Sequence, residues 1–281
     1  MLSGLTRLSL LCLMSAFLVF LQGCAGSMLQ TAPVGEQESR VAASAFARYQ
    51  ELSLVTCKDS LDAEVDATVR ISGWFSNHQG KLSGYLQALE PGYIKFIALN
   101  PLGQPVLVFL SNGNDFKLLN TLEGRAYTGP VDSETFKKFA PTGFEPETSY
   151  YWLTGRVEPG AEITRVLRDK KNKGYWFRLK GDDAGIVHMI LFAPEEARIL
   201  HRVIMNGSGD PVLDVGYEEY RSSTGSGEGG CMIPSRISVA SNSGMEKKIE
   251  LNLYSFISGA KFSSADFDLE IPANLEKLTV H

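Results

Sequence analysis

Residues 65–118 read VDATVRISGWFSNHQGKLSGYLQALEPGYIKFIALNPLGQPVLVFLSNGNDFKL, and the period of their apolar positions decides the fold class. Val65, Ala67, Val69, Ile71, Gly73 and Phe75 alternate with Asp66, Thr68, Arg70, Ser72 and Trp74, which is the two-residue period of a half-buried strand. Asn77-His78-Gln79-Gly80 turns the chain, and Leu82, Gly84, Leu86 and Ala88 alternate again. Pro91-Gly92 leads into Ile94, Phe96 and Ala98, and Asn100-Pro101-Leu102-Gly103 into Val106, Val108 and Leu110. A further hairpin turn at Asn112-Gly113-Asn114 precedes Phe116 and Leu118. Short alternating runs separated by such turns predict an antiparallel meander.

The same pattern extends downstream. After Glu123-Gly124 comes Ala126-Tyr127-Thr128, and strands are predicted at 162–169, 175–181, 185–192, 198–205, 212–221, 232–240 and 246–256. The chain closes with the alternating Phe267, Leu269 and Ile271. About eleven to thirteen strands result, more than one flat sheet carries without curling. Two short helical stretches interrupt the meander, one capped by Asp132 or Ser133 and carrying Phe136 and Phe139, the other running from Thr148 to Leu153. Upstream, Val41, Ala45, Phe46, Tyr49 and Leu52 recur at three- and four-residue spacing, which predicts one long amphipathic helix over 37–56. The expected fold class is mainly β: a single curled sheet with helices on its concave side.

The first residues serve as an address. Arg7 precedes an apolar run from Leu8 to Leu21, the length of a signal-peptide core and short for a membrane-spanning helix. Leu21-Gln22-Gly23-Cys24 resembles the bacterial lipobox, with Gln22 departing from the usual small or aliphatic residue. That resemblance implies removal of residues 1–23 and acylation of Cys24. Two or more acyl chains hold a protein on a membrane, whereas one gives marginal binding. Ala25 in place of aspartate after the cysteine favours the outer membrane. Residues 24–36 contain Pro33 and Gly35 without periodicity and are read as a lipidated flexible tether, leaving 37–281 as one domain.

Charge and motifs narrow the function. Lys and Arg total 27 against 32 Asp and Glu, a net charge of −5, which argues against nucleic acid as a partner. Gly225-Ser226-Gly227-Glu228-Gly229-Gly230 contains G-x-G-x-x-G, but a strand-like segment with Pro234 follows instead of the helix a dinucleotide needs, so a hairpin loop is expected. The four histidines show no metal-ligand spacing, and no nucleophile elbow or phosphate loop occurs. The sequence therefore points to no enzyme, no metal and no cofactor. Cys12 leaves with the signal peptide and Cys24 takes lipid, so Cys57 and Cys231 remain, either paired in an oxidising compartment or as two buried thiols.

Between residues 93 and 160 a family resemblance emerges. Tyr93-Ile94-Lys95-Phe96-Ile97-Ala98-Leu99-Asn100-Pro101-Leu102-Gly103 resembles the strand and NPLG turn of the LolB family, outer-membrane receptors for lipoproteins. Gly124-Arg125-Ala126-Tyr127 and Tyr151-Trp152-Leu153-Thr154-Gly155-Arg156 are similar to two further motifs of that family, in the same order. The resemblance implies an incomplete barrel of about eleven strands with a helical lid over an apolar cavity. It implies acceptance of acyl chains from a soluble LolA-like carrier and their delivery to the outer membrane. An acyl chain gains about 0.8 kcal/mol per buried CH₂, so only a large apolar surface competes with a bilayer. Strand parity and lid position nominate Val69, Ile71, Phe96, Val108, Phe116, Trp152 and Leu251 as lining residues. Leu102, held between Pro101 and Gly103, matches the family's protruding apolar residue, and the resemblance implies that this turn is a membrane-insertion loop that tilts the cavity mouth toward the bilayer. The Gly225–Gly230 loop and the cysteine pair depart from the family pattern, leaving room for another lipophilic cargo. The competing expectation is a structural lipoprotein that docks partners in an envelope complex. A monomer is expected in either case.

Overall fold

A computed structural model describes residues 29–71, 78–181, 185–224, 230–241 and 247–281. Cys24, Trp74, Phe75 and most of the Gly225–Gly230 stretch lie outside the described residues. From Thr31 to His281 the chain forms one compact body.

One sheet of fifteen strands organises that body. In chain order these are β1 (Thr31–Pro33), β2 (Ser60–Ile71), β3 (His78–Leu89), β4 (Tyr93–Leu99), β5 (Pro105–Ser111), β6 (Asp115–Asn120) and β7 (Arg125–Pro130). They continue with β8 (Ile163–Asp169), β9 (Tyr175–Leu179), β10 (Val187–Ala193), β11 (Arg198–Met205) and β12 (Pro211–Ser222). The last three are β13 (Met232–Ser241), β14 (Lys247–Ser258) and β15 (Glu276–Thr279). Two consecutive meanders, β2 to β7 and β8 to β14, join where β14 pairs with β2, and the chain is antiparallel throughout except for the parallel pair of β15 with β7.

The strand count corrects the expected eleven. The thirteen strands from β2 to β14 lie where alternation places them, give or take a few residues. The other two are edge strands of three and four residues, too short to show a period. One of them, β1, falls inside the stretch read as a tether: Thr31–Pro33 pair with Asp169–Leu167 of β8. The other lies beyond Phe267–Ile271, which is not a strand.

Three helices cross the concave face: α1 (Glu36–Thr56), α2 (Glu134–Phe139) and α3 (Ser149–Thr154). In α1 the buried stripe is Ala42 and Phe46. Phe46 stacks on Phe177 of β9 at 4.6 Å between ring centroids and meets Phe192 of β10 edge-on at 5.2 Å. Val41 and Leu52, expected on that stripe, are exposed on its flank. Ser133 caps α2, its hydroxyl accepting the Phe136 amide N–H at 3.2 Å. Gly155, at φ 62°, ends α3 in the left-handed conformation that a helix C-terminus needs. A disulfide joins Cys57, just after α1, to Cys231, just before β13, with 4.6 Å between their Cα atoms. Among the described residues, no helix is long and apolar enough to cross a membrane.

The two faces of the sheet carry separate cores. The larger lies on the concave side under α1 and α3, and Phe116, Leu118 and Phe136 extend it beneath α2. The smaller lies on the convex side, where Val108, Leu110, Leu119 and Ala126 meet Leu269, Ile271 and Leu275 of the C-terminal segment. That segment covers the outer face of β4 to β7, and its alternating Phe267, Leu269 and Ile271 are apolar for that reason.

Candidate functional site

The concave face combines apolar character with partial exposure. Its rows follow from register: Val239 pairs with Ile249, Ile249 with Val69, Leu251 with Ala67, and Ala67 with Leu82. Across β4 and β5 the rows continue through Ala98 opposite Leu107 and Phe96 opposite Phe109. Toward the end of the sheet where β2 turns to β3 and β4 to β5, Val69, Leu82, Phe96, Leu107, Phe109, Val239, Ile249 and Leu251 are half-buried. Toward the other end Leu61, Ala63, Ala88 and Ile94 are fully buried under α3 and the end of α1. Among the described residues, the result is an apolar trough, covered by the helices at one end and partly exposed at the other. Gly84 helps shape its floor, because a Cβ there would stand 1.8 Å from the Ile97 carbonyl oxygen on the neighbouring strand.

The residues nominated from sequence divide among these places. Val69, Phe96 and Leu251 line the partly exposed end of the trough. Ile71 ends β2, and its side chain lies outside the described residues. Phe116 is on the concave face but packed solid against Phe136 of α2, 5.1 Å between ring centroids. Trp152 is buried in α3, its ring edge-on to Phe144 at 5.7 Å and its Nε1 donating to Thr148 Oγ1 at 3.1 Å. Val108 is a correction: it stands opposite Ile97 on the convex face, under the C-terminal segment. Both Val108 and Phe109 are apolar, so the parity of β5 has no polar marker, and the wrong face was assigned. Leu102 projects from the β4–β5 turn with 83 % exposure, flanked by exposed Pro101 and Gly103.

Sequence reasoning missed the polar chemistry beneath the helices. Arg202 of β11 points into the concave core with 1 % exposure. Its Nη1 pairs with Glu158 Oε1 at 3.1 Å, and its Nη2 donates to the Arg156 carbonyl at 2.7 Å. The guanidinium carbon stands 5.0 Å from the centre of the Trp152 ring. Arg156, also buried, faces the rings of Tyr150 and Tyr151 and donates through Nη1 to the Tyr150 hydroxyl at 3.4 Å. Tyr150 in turn donates to the Lys58 carbonyl and Tyr151 to the Glu90 carboxylate. Burial pushes the Tyr150 and Tyr217 hydroxyls up to about 12, opposed by Arg156 in the first case and Arg202 in the second. His188 of β10 reaches Glu145 at 3.0 Å, tying the loop before α3 to the sheet. An arginine in a strand reads as exposed, so no pattern marks Arg202.

Arg202 is paired with the Glu158 carboxylate, Arg156 lies against the Tyr150 and Tyr151 rings, and together they join the segment around α3 to the sheet, while the strip beside them is mainly apolar. Among the described residues, no group of three acidic, histidine or cysteine side chains is placed to hold a metal.

A single open, curled antiparallel sheet with helices on its concave side is the LolA/LolB-like fold. Neither a family model nor a curated protein sequence matches the chain. Among solved structures it is similar to a LolA-superfamily protein from Nitrosomonas europaea, with a TM-score of 0.51 and 13 % identity over 81 % of this chain and 97 % of that one. It is similar also to a DUF1329-family protein from Desulfovibrio piger, with a TM-score of 0.54 and 9 % identity over the same shares, 81 % and 97 %. At such identities the likeness concerns the fold, and it does not single out the LolB branch.

Proposed function

We propose that this protein binds the acyl chains of lipids or lipoproteins in the trough and, anchored through an acylated Cys24, delivers them to the outer membrane after receiving them from a soluble carrier. The observation that carries the reading is the set of half-buried apolar side chains Val239, Ile249, Val69, Leu82, Phe96 and Phe109 on one face of the sheet. Apolar surface left open on a rigid sheet costs free energy in water and gains it when a hydrocarbon chain covers it. The LolA-superfamily fold supports the same reading. Transfer would run on graded affinity, with no catalysis by the protein.

A docking role in an envelope complex is the second reading, and one observation favours it: beneath α2 and α3 the concave face is filled by Phe116, Phe136 and Trp152. The two readings differ in one measurement. A fluorescent fatty-acid probe should bind the purified protein and be lost from Phe96→Asp, whose circular dichroism should stay native. Probe binding equal in both, or absent from both, would leave the docking role.

A further inference from the structure

Among the described residues, the two most exposed large apolar side chains are Leu102, at 83 %, and Leu122, at 80 %. They belong to neighbouring turns. Leu102 is in the turn from β4 to β5 and Leu122 in the turn from β6 to β7, and since Leu107 pairs with Asn120, both turns lie at the same end of the sheet. It is the end at which the trough is partly exposed.

The two turns are built alike. The Asn100 side-chain oxygen accepts the amide N–H groups of Leu102 and Gln104, each at 2.9 Å. The Asn120 side-chain oxygen accepts those of Leu122 at 3.1 Å and Glu123 at 3.2 Å. A glycine in the left-handed region follows each leucine, Gly103 at φ 77° and Gly124 at φ 68°. The turns are also bonded together, the Thr121 amide N–H donating to the Val106 carbonyl at 3.1 Å and its Oγ1 to the Pro105 carbonyl at 3.0 Å. Two leucines are thus displayed to water on one cross-linked double turn.

We propose that this double turn is a bilayer-contact edge, in which Leu122 enters the interfacial layer of a phospholipid membrane together with Leu102. The proposal rests on the delivery reading above and adds Leu122 to it. Two side chains are far too small a patch for a stable protein interface, which needs about 1,000 Å². A bilayer accepts isolated apolar side chains without such an area. Exposed Arg70 and Lys248, and Lys81 paired with Asp66 at 3.4 Å, lie near the same end of β2, β3 and β14, where anionic headgroups would meet them, while Glu123 beside Leu122 would stay in water.

The test is site-specific labelling of the full-length protein in vesicles of phosphatidylethanolamine and phosphatidylglycerol. An environment-sensitive fluorophore would be attached at Leu102→Cys, Leu122→Cys or, as reference at the opposite end of the sheet, Met232→Cys. The expected result is a blue shift and quenching by lipid-borne nitroxides at both leucine positions and neither at Met232. An aqueous spectrum at Leu122 with an inserted one at Leu102 would overturn the proposal and leave the delivery reading intact. Aqueous spectra at both, with fatty-acid binding preserved, would overturn it equally. A blue shift at Leu122 without vesicles would overturn it in favour of contact between protein molecules.

Discussion

At the residue scale, Arg202 shows how a charge becomes part of a core. It occupies an inward position of β11, between Val215 and Ile190 in register. Burying a cation is tolerated when its protons and charge find partners, and here Glu158, the Arg156 carbonyl and the Trp152 ring supply them. Arg202→Ala removes those interactions and opens a hole under α3. It should lower unfolding free energy by about 3 kcal/mol, the low end for a broken buried pair because the Glu158 side chain retains 28 % exposure. Glu158→Gln keeps an acceptor and the packing but leaves the Arg202 charge, 1 % exposed, without its counter-ion, and should cost a similar amount. Urea denaturation followed by tryptophan fluorescence checks both, and an Arg202→Ala midpoint equal to wild type would show that the pair contributes nothing net.

At the element scale, α1 is held at several points along its length, from the Glu38–Arg168 ion pair near its start to its end. Near its middle Phe46 packs on Phe177 and Phe192, and at its end the Cys57–Cys231 disulfide ties it to the start of β13. The bond closes a loop of sequence separation 174, for which the chain-entropy account gives at most about 4–5 kcal/mol. Reduction, or Cys231→Ser, should therefore lower the denaturation midpoint markedly and loosen α1 before the sheet. Non-reducing peptide mapping should recover the linked pair; two freely alkylated thiols in protein purified without reductant would refute it. The C-terminal segment is a second element whose role is packing. Leu275 is buried against Val108 and Leu119 on the convex face. Leu275→Asp should expose that patch, destabilise by about 2–5 kcal/mol and speed amide exchange in β15 and β7 while sparing β9 to β12.

At the scale of the whole molecule, the tyrosines gathered under the helices make stability depend on alkaline pH. Tyr150 and Tyr217 are raised to about 12, chiefly by burial, while an unfolded tyrosine titrates near 10. Tyr49 and Tyr151 are raised as well, again first by burial. A group whose folded value is raised leaves stability unchanged below its unfolded value and lowers it as pH climbs toward the folded one. Stability should therefore hold up to about pH 10 and fall between pH 10 and pH 12. Denaturation curves across that range, with tyrosinate absorbance, would test this; buried tyrosines ionising while the protein stays folded would contradict it.

Alternation in Val65–Ile71, Leu82–Ala88 and Ile94–Ala98, with turn residues between, placed the inner strands and the meander, because period and turn chemistry are local properties of the chain. The long helix and the Ser133 cap were legible for the same reason. Alternation defines two faces of a strand but not which one a helix will cover. In β5, with apolar residues on both, only the distant C-terminal segment decides that Val108 faces outward and Phe109 inward. Arg202 is inward because its partners Glu158 and Trp152 arrive from another element. The turn of Leu122 becomes the neighbour of the turn of Leu102 only when β5 pairs with β6. Periods, turns and the strands between them are written locally along the chain. The tertiary structure decided the faces, the short edge strands and the neighbours, since those depend on contacts between residues far apart along the chain.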